Sequence, residues 1–313
     1  MRRVVSVSLG SAARNWEADL TPHGVPLCLE RRGVGLDYEA YAQALRELDR
    51  DPDVAAIGLG GLNRYLFAGR HRYELRKPGE MARLVRNKPV CDGSLLKQIW
   101  EPCVVREAAE AGLLRLRGRR TLMVCGVDRW GMAAALAEHE ADLVLGDLMF
   151  ALGVPLPVRG LAHLERIGRS VLPSVTRCVP FEWLYPTGES RDVPKYGRWY
   201  QWAEVIAGDW KFIGKHMPAE AGSLAGKTVV TNTTTPADVA ALRHRGVEVL
   251  ITTTPSLDGR SFGTNVIEAA TAALTGRPVD TLRLTDLLEH FAPLGWDRPR
   301  VEHLQIGARD EIS

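Results

Sequence analysis

The sequence lacks the features that mark several special classes of protein. Its 5 cysteines are odd in number and none belongs to a C-x-x-C pair, so the sequence predicts neither a disulfide framework nor a zinc site. No apolar run approaches the roughly 20 residues that a membrane-spanning helix needs. A net charge of +2 predicts no strong attraction to nucleic acid or to a membrane. We therefore expect a cytoplasmic enzyme or binding protein whose partner is a small molecule.

The order of the apolar runs predicts an α/β protein of two domains. We expect an α/β domain of substrate type over residues 1–118 and a Rossmann-like domain, a doubly wound and mostly parallel sheet, over residues 119–313. Apolar runs alternate with helical patterns after the basic segment 115–120, which is typical of parallel strands with helices on both faces. We place the domain boundary at that segment, although a solvated turn before a strand explains the same residues equally well.

Three local signals predict helix ends. Asp37 has the position of an N-cap for a helix over residues 37–50. Pro102 interrupts a helical pattern, so that helix is expected to kink or to restart. Thr235 and Asp238 have the spacing of a capping box around a proline.

Residues 151–202 interrupt the alternation of strands and helices. The segment contains six prolines, and an aromatic cluster occupies 181–202. This composition is too aromatic for a disordered linker. We expect an ordered excursion that covers the sheet or an interface, and the second reading makes a homodimer an expectation, because aromatic residues are enriched in interfaces.

The segment 121–147 is the most informative motif of the chain. An apolar run ends at Gly126, a helical pattern opens at Gly131, and a second apolar run ends at Asp147, about 20 residues after the first glycine. This is the layout of a dinucleotide-binding βαβ unit, in which the acid binds a ribose hydroxyl. The fingerprint G-x-G-x-x-G is incomplete, because Asp128 replaces the middle glycine and its carboxylate would repel phosphate.

Polar residues follow the apolar runs of the second half of the chain. The carboxyl ends of parallel strands share one edge, where ligands bind in open α/β sheets, so we expect a ligand-facing rim there. Helix capping is the alternative for single residues. The rim comprises Asp128, Asp147, Asn232, Thr233 and Thr234, which are candidate cofactor-binding residues, together with Asp209 and Thr253.

The segment 259–265 has the composition of an anion-binding loop. Glycines, hydroxyls and an arginine precede a helix, whose free N–H groups and dipole favour negative charge. An ordinary glycine-rich loop with a helix cap explains the pattern equally well. With Thr253, the candidate substrate-binding or anion-binding residues are Arg260, Ser261, Gly263, Thr264 and Asn265.

The first half of the chain contains one sharp polar motif. Asp92 follows a short apolar run, and Lys97 falls on the first turn of the helix that is expected to begin near Ser94. An aspartate near a partly buried lysine can relay a proton to or from a substrate hydroxyl. The alternative is an N-cap aspartate with a surface lysine.

The order of the two domains and the Asn-Thr-Thr-Thr loop after a late strand resemble the shikimate and quinate dehydrogenases, including bacterial proteins labelled quinate 5-dehydrogenase. That family reduces or oxidises a ring carbonyl with a nicotinamide cofactor. The resemblance therefore implies an NAD(P)-dependent oxidoreductase that acts on a small polyhydroxylated carboxylic acid.

The resemblance also implies roles for individual residues. Lys97 matches the catalytic lysine and Asp92 stands in for its acidic partner, in reversed sequence order. Asp147 matches the ribose-binding position and favours NAD over NADP, because a carboxylate repels a 2′-phosphate. Gly126 and Gly131 match the pyrophosphate loop, and Asn232 and Thr233 match the loop near the nicotinamide.

Two other functions remain open. Asp128, Asp147 and Asp209 could converge on a divalent metal or on a ribosyl or adenosyl group, in a different enzyme on the same frame. A non-catalytic ligand-binding or assembly protein, with the aromatic segment 181–202 as its interface, is the second alternative.

Overall fold

The computed structural model describes residues 1–185, 193–257 and 260–304. The chain folds as two compact units. Unit 1 comprises the described residues of Met1–Trp100, Arg169–Ser190 and Gly263–Arg298. Unit 2 comprises the described residues of Glu101–Gly168, Arg191–Phe262 and Pro299–Ser313.

Strands and helices alternate along most of the described chain. In chain order the strands are β1 (Arg2–Ser8), β2 (Trp16–Leu20), β3 (Leu27–Gly33), β4 (Val54–Gly60), β5 (Tyr65–Ala68), β6 (His71–Glu74), β7 (Val90–Cys91), β8 (Arg120–Met123), β9 (Asp142–Leu145), β10 (Val158–Arg159), β11 (Val205–Ala207), β12 (Thr228–Thr231), β13 (Val249–Thr252), β14 (Ser256–Leu257), β15 (Arg260–Ser261) and β16 (Arg300–His303). The α-helices are α1 (Tyr38–Arg50), α2 (Arg76–Ala82), α3 (Ser94–Ile99), α4 (Glu101–Glu110), α5 (Trp130–Glu138), α6 (Asp147–Phe150), α7 (Leu161–Cys178), α8 (Phe181–Leu184), α9 (Gly197–Trp202), α10 (Trp210–His216), α11 (Pro236–His244), α12 (Thr264–Thr275) and α13 (Leu284–Phe291).

The sheet of unit 1 has the strand order β2-β3-β1-β4-β7. The strands from β3 to β7 run parallel, whereas β2 pairs antiparallel with β3 at one edge. The central strand β1 is rich in valine, and Val4, Val5 and Val7 are fully buried, as expected of a parallel strand covered on both faces. Helix α12 packs against β1 and β4. Unit 1 is therefore completed by a segment from the far end of the chain.

The sheet of unit 2 has the strand order β10-β9-β8-β11-β12-β13-β16. The five strands from β9 to β13 are parallel, and β10 and β16 pair antiparallel at the two edges. Numbered from β8 along this sheet, the order is 3-2-1-4-5-6-7. Its first six positions follow the doubly wound order 3-2-1-4-5-6, which reverses direction between β8 and β11. The prediction of an α/β protein with a Rossmann-like, mostly parallel sheet is confirmed.

The predicted helix ends agree with the structure. The Asp37 carboxylate accepts hydrogen bonds from two backbone N–H groups at the start of α1. The helix that contains Pro102 restarts, because α3 ends at Ile99 and α4 begins at Glu101. Thr235 and Asp238 form the capping box of α11.

The excursion over residues 151–202 contains a long helix that the sequence analysis did not predict, because the segment is rich in proline. Helix α7 has 18 residues and includes Pro173, although a proline inside a helix costs about 3 kcal/mol. Its buried residues recur every four positions, at Leu164, Gly168, Leu172 and Thr176, which places them along one side of the helix. The part of the aromatic segment at 186–192 lies outside the described residues.

The division of the chain differs from the sequence-based boundary at residues 118 and 119. The first segment of unit 1 ends at Trp100. The described residues of 169–190 and 263–298 also belong to unit 1. Local composition does not reveal such returns, because they depend on contacts between distant segments. None of the helices in the described ranges combines the length and apolarity that crossing a membrane requires.

We predict that Thr235→Ala lowers the free energy of unfolding by ~1 kcal/mol, because it removes the N-cap acceptor of α11. The measurement is the urea midpoint followed by circular dichroism. Thr285→Ala, on the exposed side of α13, is the control and should leave the midpoint unchanged. An unchanged midpoint in Thr235→Ala would contradict the role of the cap.

Candidate functional site

The turn after β8 is held by a carboxylate of the protein itself. Asp147 Oδ1 accepts a hydrogen bond from the backbone N–H of Val127 at 2.7 Å. Asp147 is 6% exposed, and its Oδ2 has no hydrogen-bond partner among the described residues. Burial raises the pKa of Asp147 to about 6. A side chain at Gly126 would place its Cβ 2.8 Å from Leu164 Cδ2 and 3.1 Å from Asp147 Oδ2, so a larger residue would require these side chains to shift.

A buried arginine network lies at the same strand ends. Arg129 is 1% exposed, and its guanidinium donates to Glu101 and, at 2.6 Å, to Asp209 Oδ2. Asp128 Oδ2 lies 3.6 Å from Arg129 Nε. Burial lowers the pKa of Arg129, but the charges of Glu101, Asp209 and Asp128 outweigh it and raise that pKa well above its ordinary value. Three carboxyl groups thus surround one guanidinium.

Asp209 extends this network to the end of the next strand. Its Oδ1 accepts the backbone N–H of Lys211 at the start of α10, and its Oδ2 accepts a hydrogen bond from Asn232 Nδ2 at 3.1 Å. Its side chain is 16% exposed, compared with 0% for Glu101 and 3% for Asp128. Asp209 is therefore the carboxylate of the network that is most accessible to a ligand.

Two threonine hydroxyls next to the rim bond the backbone of unit 2. Thr231 Oγ1 donates to the carbonyl oxygen of Gly208, and Thr254 Oγ1 donates to that of Asn232. Thr234 and Thr253 are buried, whereas Thr233 is half-buried. Parallel pairing places all these strand ends at one edge, as predicted. The structure joins Asp128, Asp209 and Asn232 through the arginine network, while the Asp147 carboxylate bonds the turn.

In unit 1, Asp92 fixes the start of the helix that carries Lys97. Asp92 Oδ2 accepts hydrogen bonds from the backbone N–H of Arg64 at 2.7 Å and from the hydroxyl of Ser94, and Oδ1 accepts the backbone N–H of Ser94 at 3.2 Å. The Arg64 guanidinium is engaged elsewhere, because its Nε donates to Glu74 at 2.7 Å. Asp92 is thus a structural acceptor within unit 1 as well as a candidate catalytic group.

Lys97 is buried rather than solvated. It is 1% exposed, and its Nζ donates to Asn63 Oδ1 at 2.9 Å. Asn63 follows β4 and Lys97 follows β7, so the pair lies at the carboxyl edge of the parallel strands of unit 1. The alternative of a surface lysine is wrong, because the Lys97 side chain is buried.

Glu268 is a member of this cluster that the sequence analysis missed. Its carboxylate, on α12, accepts hydrogen bonds from the backbone N–H groups of Gly93 at 3.2 Å, Leu95 at 2.9 Å and Leu96 at 3.2 Å. It is 1% exposed, and burial together with the charge of Asp92 raises its pKa to about 8. A single charged residue in an otherwise uncharged helix was the available signal. Arg129, Glu101 and Asn63 gave no comparable local signal.

The segment that resembles an anion-binding loop is packed in the structure. Gly263 precedes α12, and Thr264 and Asn265 are buried. Asn265 Nδ2 donates to Ser6 Oγ on β1 at 2.7 Å. Ser261 is buried and its Oγ accepts the backbone N–H of Thr234. Gly259 and the side chain of Arg260 lie outside the described residues.

One group of three metal-ligand side chains occurs among the described residues. It comprises Glu17, Asp19 and Cys28 in unit 1, whose ligand atoms lie within 4.8 Å of one another. Within the same residues, Asp128, Asp147 and Asp209 form no such group. The metal form of the alternative function therefore gains no support from the described part of unit 2.

Similarity to solved structures is low. The chain is 10% identical to the Trypanosoma brucei N5,N10-methylenetetrahydrofolate dehydrogenase-cyclohydrolase (FolD) complexed with NADP cofactor and inhibitor, over 94% of this chain and 87% of that one, with a TM-score of 0.32. It is 9% identical to GanP, a glucose-galactose binding protein from Geobacillus stearothermophilus, over 98% of both chains, with a TM-score of 0.38. Similarity at this level does not transfer a ligand or an activity. No curated protein matches the sequence.

Two family models match the chain in succession. The model described as domain of unknown function DUF8753 matches residues 3–92. The next model begins at residue 95, close to the end of the first segment of unit 1 at Trp100. The chain belongs to the family described as domain of unknown function DUF8754, whose model matches residues 95–304.

Proposed function

We propose that this protein is an enzyme that exchanges a proton with a hydroxyl or carbonyl group of a small polyhydroxylated carboxylic acid of the quinate or shikimate type. Lys97 is the group that carries the proton. The observation that carries the proposal is the burial of Lys97, whose ammonium bonds Asn63 at the carboxyl edge of a parallel sheet. Burying an ammonium costs several kcal/mol, and an apolar side chain of similar length would avoid that cost.

The proposed chemistry is general acid–base catalysis. The Lys97 ammonium gives its proton to a substrate oxygen as that oxygen gains negative charge, and the neutral amine takes a proton from a substrate hydroxyl in the reverse direction. Asn63 orients the amine through the hydrogen bond to its amide oxygen. Asp92 holds the start of α3 and contributes a negative charge to the same cluster.

The redox form of the proposal adds NAD or NADP, which would supply or accept the hydride. The strand order of unit 2 supports this form. The turn after β8 does not, because the N–H of Val127 already donates to Asp147 and Asp128 replaces the middle glycine of the fingerprint. The carboxylates around Arg129 would also repel a phosphate. The turn after β8 and the carboxyl groups around Arg129 therefore do not fit a pyrophosphate bound at the glycine-rich turn.

The occupied turn favours a second candidate function for unit 2. Asp209 and Asn232 offer a carboxylate and an amide at the strand ends, and both groups bond hydroxyls well. We propose a ligand without phosphate at this turn, such as a ribosyl or adenosyl group, as the alternative to a dinucleotide.

We predict that Lys97→Ala lowers turnover of a quinate-type or shikimate-type acid by roughly 10²-fold or more, the usual range for loss of an acid–base group. The assay follows both cofactor absorbance and the mass of the products, so it detects redox and non-redox reactions. Lys195→Ala removes an exposed lysine and should retain full turnover. Equal rates for Lys97→Ala and the wild type would refute the proposal.

We predict that Asp128→Gly, which restores the G-x-G-x-x-G spacing, raises the affinity for NADH about tenfold by removing one carboxylate from the turn. Tryptophan fluorescence reports binding, since Trp130 begins α5 directly after the turn. Asp53→Gly, at an exposed position of unit 1, is the control. Tight, saturable binding of NADH by the wild type would contradict the conclusion that the turn after β8 does not fit a pyrophosphate, and it would support the redox form of the proposal.

The raised pKa of Asp147 predicts that the free energy of unfolding depends on pH. Its carboxyl binds a proton more tightly in the folded state, with a pKa of about 6 against an ordinary 3.8. The contribution of this carboxyl to the free energy of unfolding is therefore fully present below pH 4 and is lost as the pH rises through 6. Asn cannot ionise, so the advantage of Asp147→Asn over the wild type should grow by ~1 kcal/mol between pH 5 and 8.

The measurement for Asp147→Asn is the urea midpoint at pH 5 and at pH 8. Asp53→Asn, at an exposed site, should show the same difference from the wild type at both values. A loss of stability in Asp147→Asn that is larger at pH 8 than at pH 5 would show that the turn needs the ionised carboxylate.

A further inference from the structure

We infer that Glu268 is the positioning residue for Lys97: it caps helix α3 from helix α12 and thereby fixes the turn from which the Lys97 side chain reaches Asn63. The functional meaning of this inference rests on the proposed role of Lys97. Its structural part rests on the contacts of unit 1 alone.

Helix α3 has no cap from its own N-cap residue. The N-cap position is Gly93, with a φ of +85° and no side chain to accept a hydrogen bond. The first N–H groups of any helix lack partners inside the helix and need an acceptor. Glu268 meets this need with both carboxylate oxygens, which accept from Gly93, Leu95 and Leu96.

Close packing explains why the cap comes from another helix. A Cβ at Gly93 would overlap Thr264 Oγ1 and lie 2.7 Å from the backbone nitrogen of Asn265. The start of α12 therefore approaches the turn too closely for a serine or aspartate at the N-cap. The same approach brings Glu268, one helical turn further along α12, within hydrogen-bond distance of α3.

The cap acts on Lys97 through a short helix. Helix α3 has 6 residues, and helices of this length do not hold their shape without outside contacts. The Lys97 N–H donates to the carbonyl oxygen of Gly93 at 3.2 Å, so the backbone of Lys97 belongs to the turn that Glu268 caps. The Lys97 Nζ then reaches Asn63 Oδ1 at 2.9 Å.

The chemistry of residue 268 distinguishes positioning from packing. Glu268 is surrounded on α12 by apolar and small residues, and packing alone would be satisfied by leucine or methionine. A buried carboxylate is costly, and burial raises its pKa to about 8. Ionisation strengthens its hydrogen bonds to the backbone N–H groups. The state of Glu268 should therefore be visible along α3 as far as Lys97.

The test is NMR spectroscopy of the whole protein between pH 6.5 and 9.5, with labelled lysine side chains and backbone amides. In the wild type, the amide signals of Leu95 and Leu96 and the Cε signal of Lys97 should share a transition near pH 8. Glu268→Gln should remove that transition from all three signals. Glu289→Gln, which neutralises an exposed carboxylate of unit 1, should retain it.

Glu268→Asp keeps the charge, shortens the side chain and covers the case in which Glu268→Gln does not fold. It should keep a transition in the amide signals while shifting the Lys97 Cε signal. Lys97 Cε signals that are identical in the wild type and in both Glu268 variants at every pH would overturn the inference.

An activity measurement separates the inference from the proposed function. If Lys97 carries the proton, Glu268→Gln should lower kcat about tenfold or more and leave KM nearly unchanged, because misplacement of a catalytic group acts on the chemical step. Unchanged turnover in Lys97→Ala would refute the proposed function. The NMR result would still decide whether Glu268 positions Lys97.

Discussion

A buried charge is stable only when hydrogen bonds and opposite charges replace the water that it has lost. This constraint shapes the carboxyl edge of the parallel sheet in each unit. In unit 2, Arg129 is held among Glu101, Asp128 and Asp209. In unit 1, Glu268 is held by the N–H groups of α3 and Lys97 bonds Asn63. Both clusters occupy the place where open α/β sheets bind ligands.

The two clusters differ in what they can do chemically. The guanidinium of Arg129 keeps its proton at all relevant pH values, so its network serves charge balance and shape. The Asp147 carboxylate already bonds the N–H group of the turn. A lysine side chain, in contrast, can serve as a proton donor or acceptor in catalysis, and Lys97 lies beside Asn63 at the carboxyl edge of the parallel strands of unit 1. For this reason the proposed proton-transfer chemistry lies in unit 1.

Local sequence patterns predicted much of the fold. The caps at Asp37 and Thr235 follow from side chains that bond their own helix, and the alternation of apolar runs with helices predicted the parallel sheet of unit 2. Asp92 and Lys97 were found because they share one short motif. These features depend on neighbours in sequence, which is why a single sequence reveals them.

The features that the sequence did not reveal depend on distant segments. Glu268 caps α3 from 172 residues away, and no local pattern predicts which helix will approach which turn. Asp147 has the spacing of a ribose-binding acid, yet its carboxylate accepts a hydrogen bond from the backbone N–H of Val127 in the turn after β8. The long helix α7 was concealed because Pro173 reads locally as a helix breaker.

The most direct test of a proton-transfer site at Lys97 is to follow its Cε signal by NMR spectroscopy while quinate and then shikimate are added to the whole protein. We expect a saturable shift of the Lys97 signal, with the same dissociation constant as the shifts of the neighbouring amides of α3. Saturable binding that leaves the Lys97 signal unmoved, with shifts confined to the strand ends of unit 2, would contradict the account.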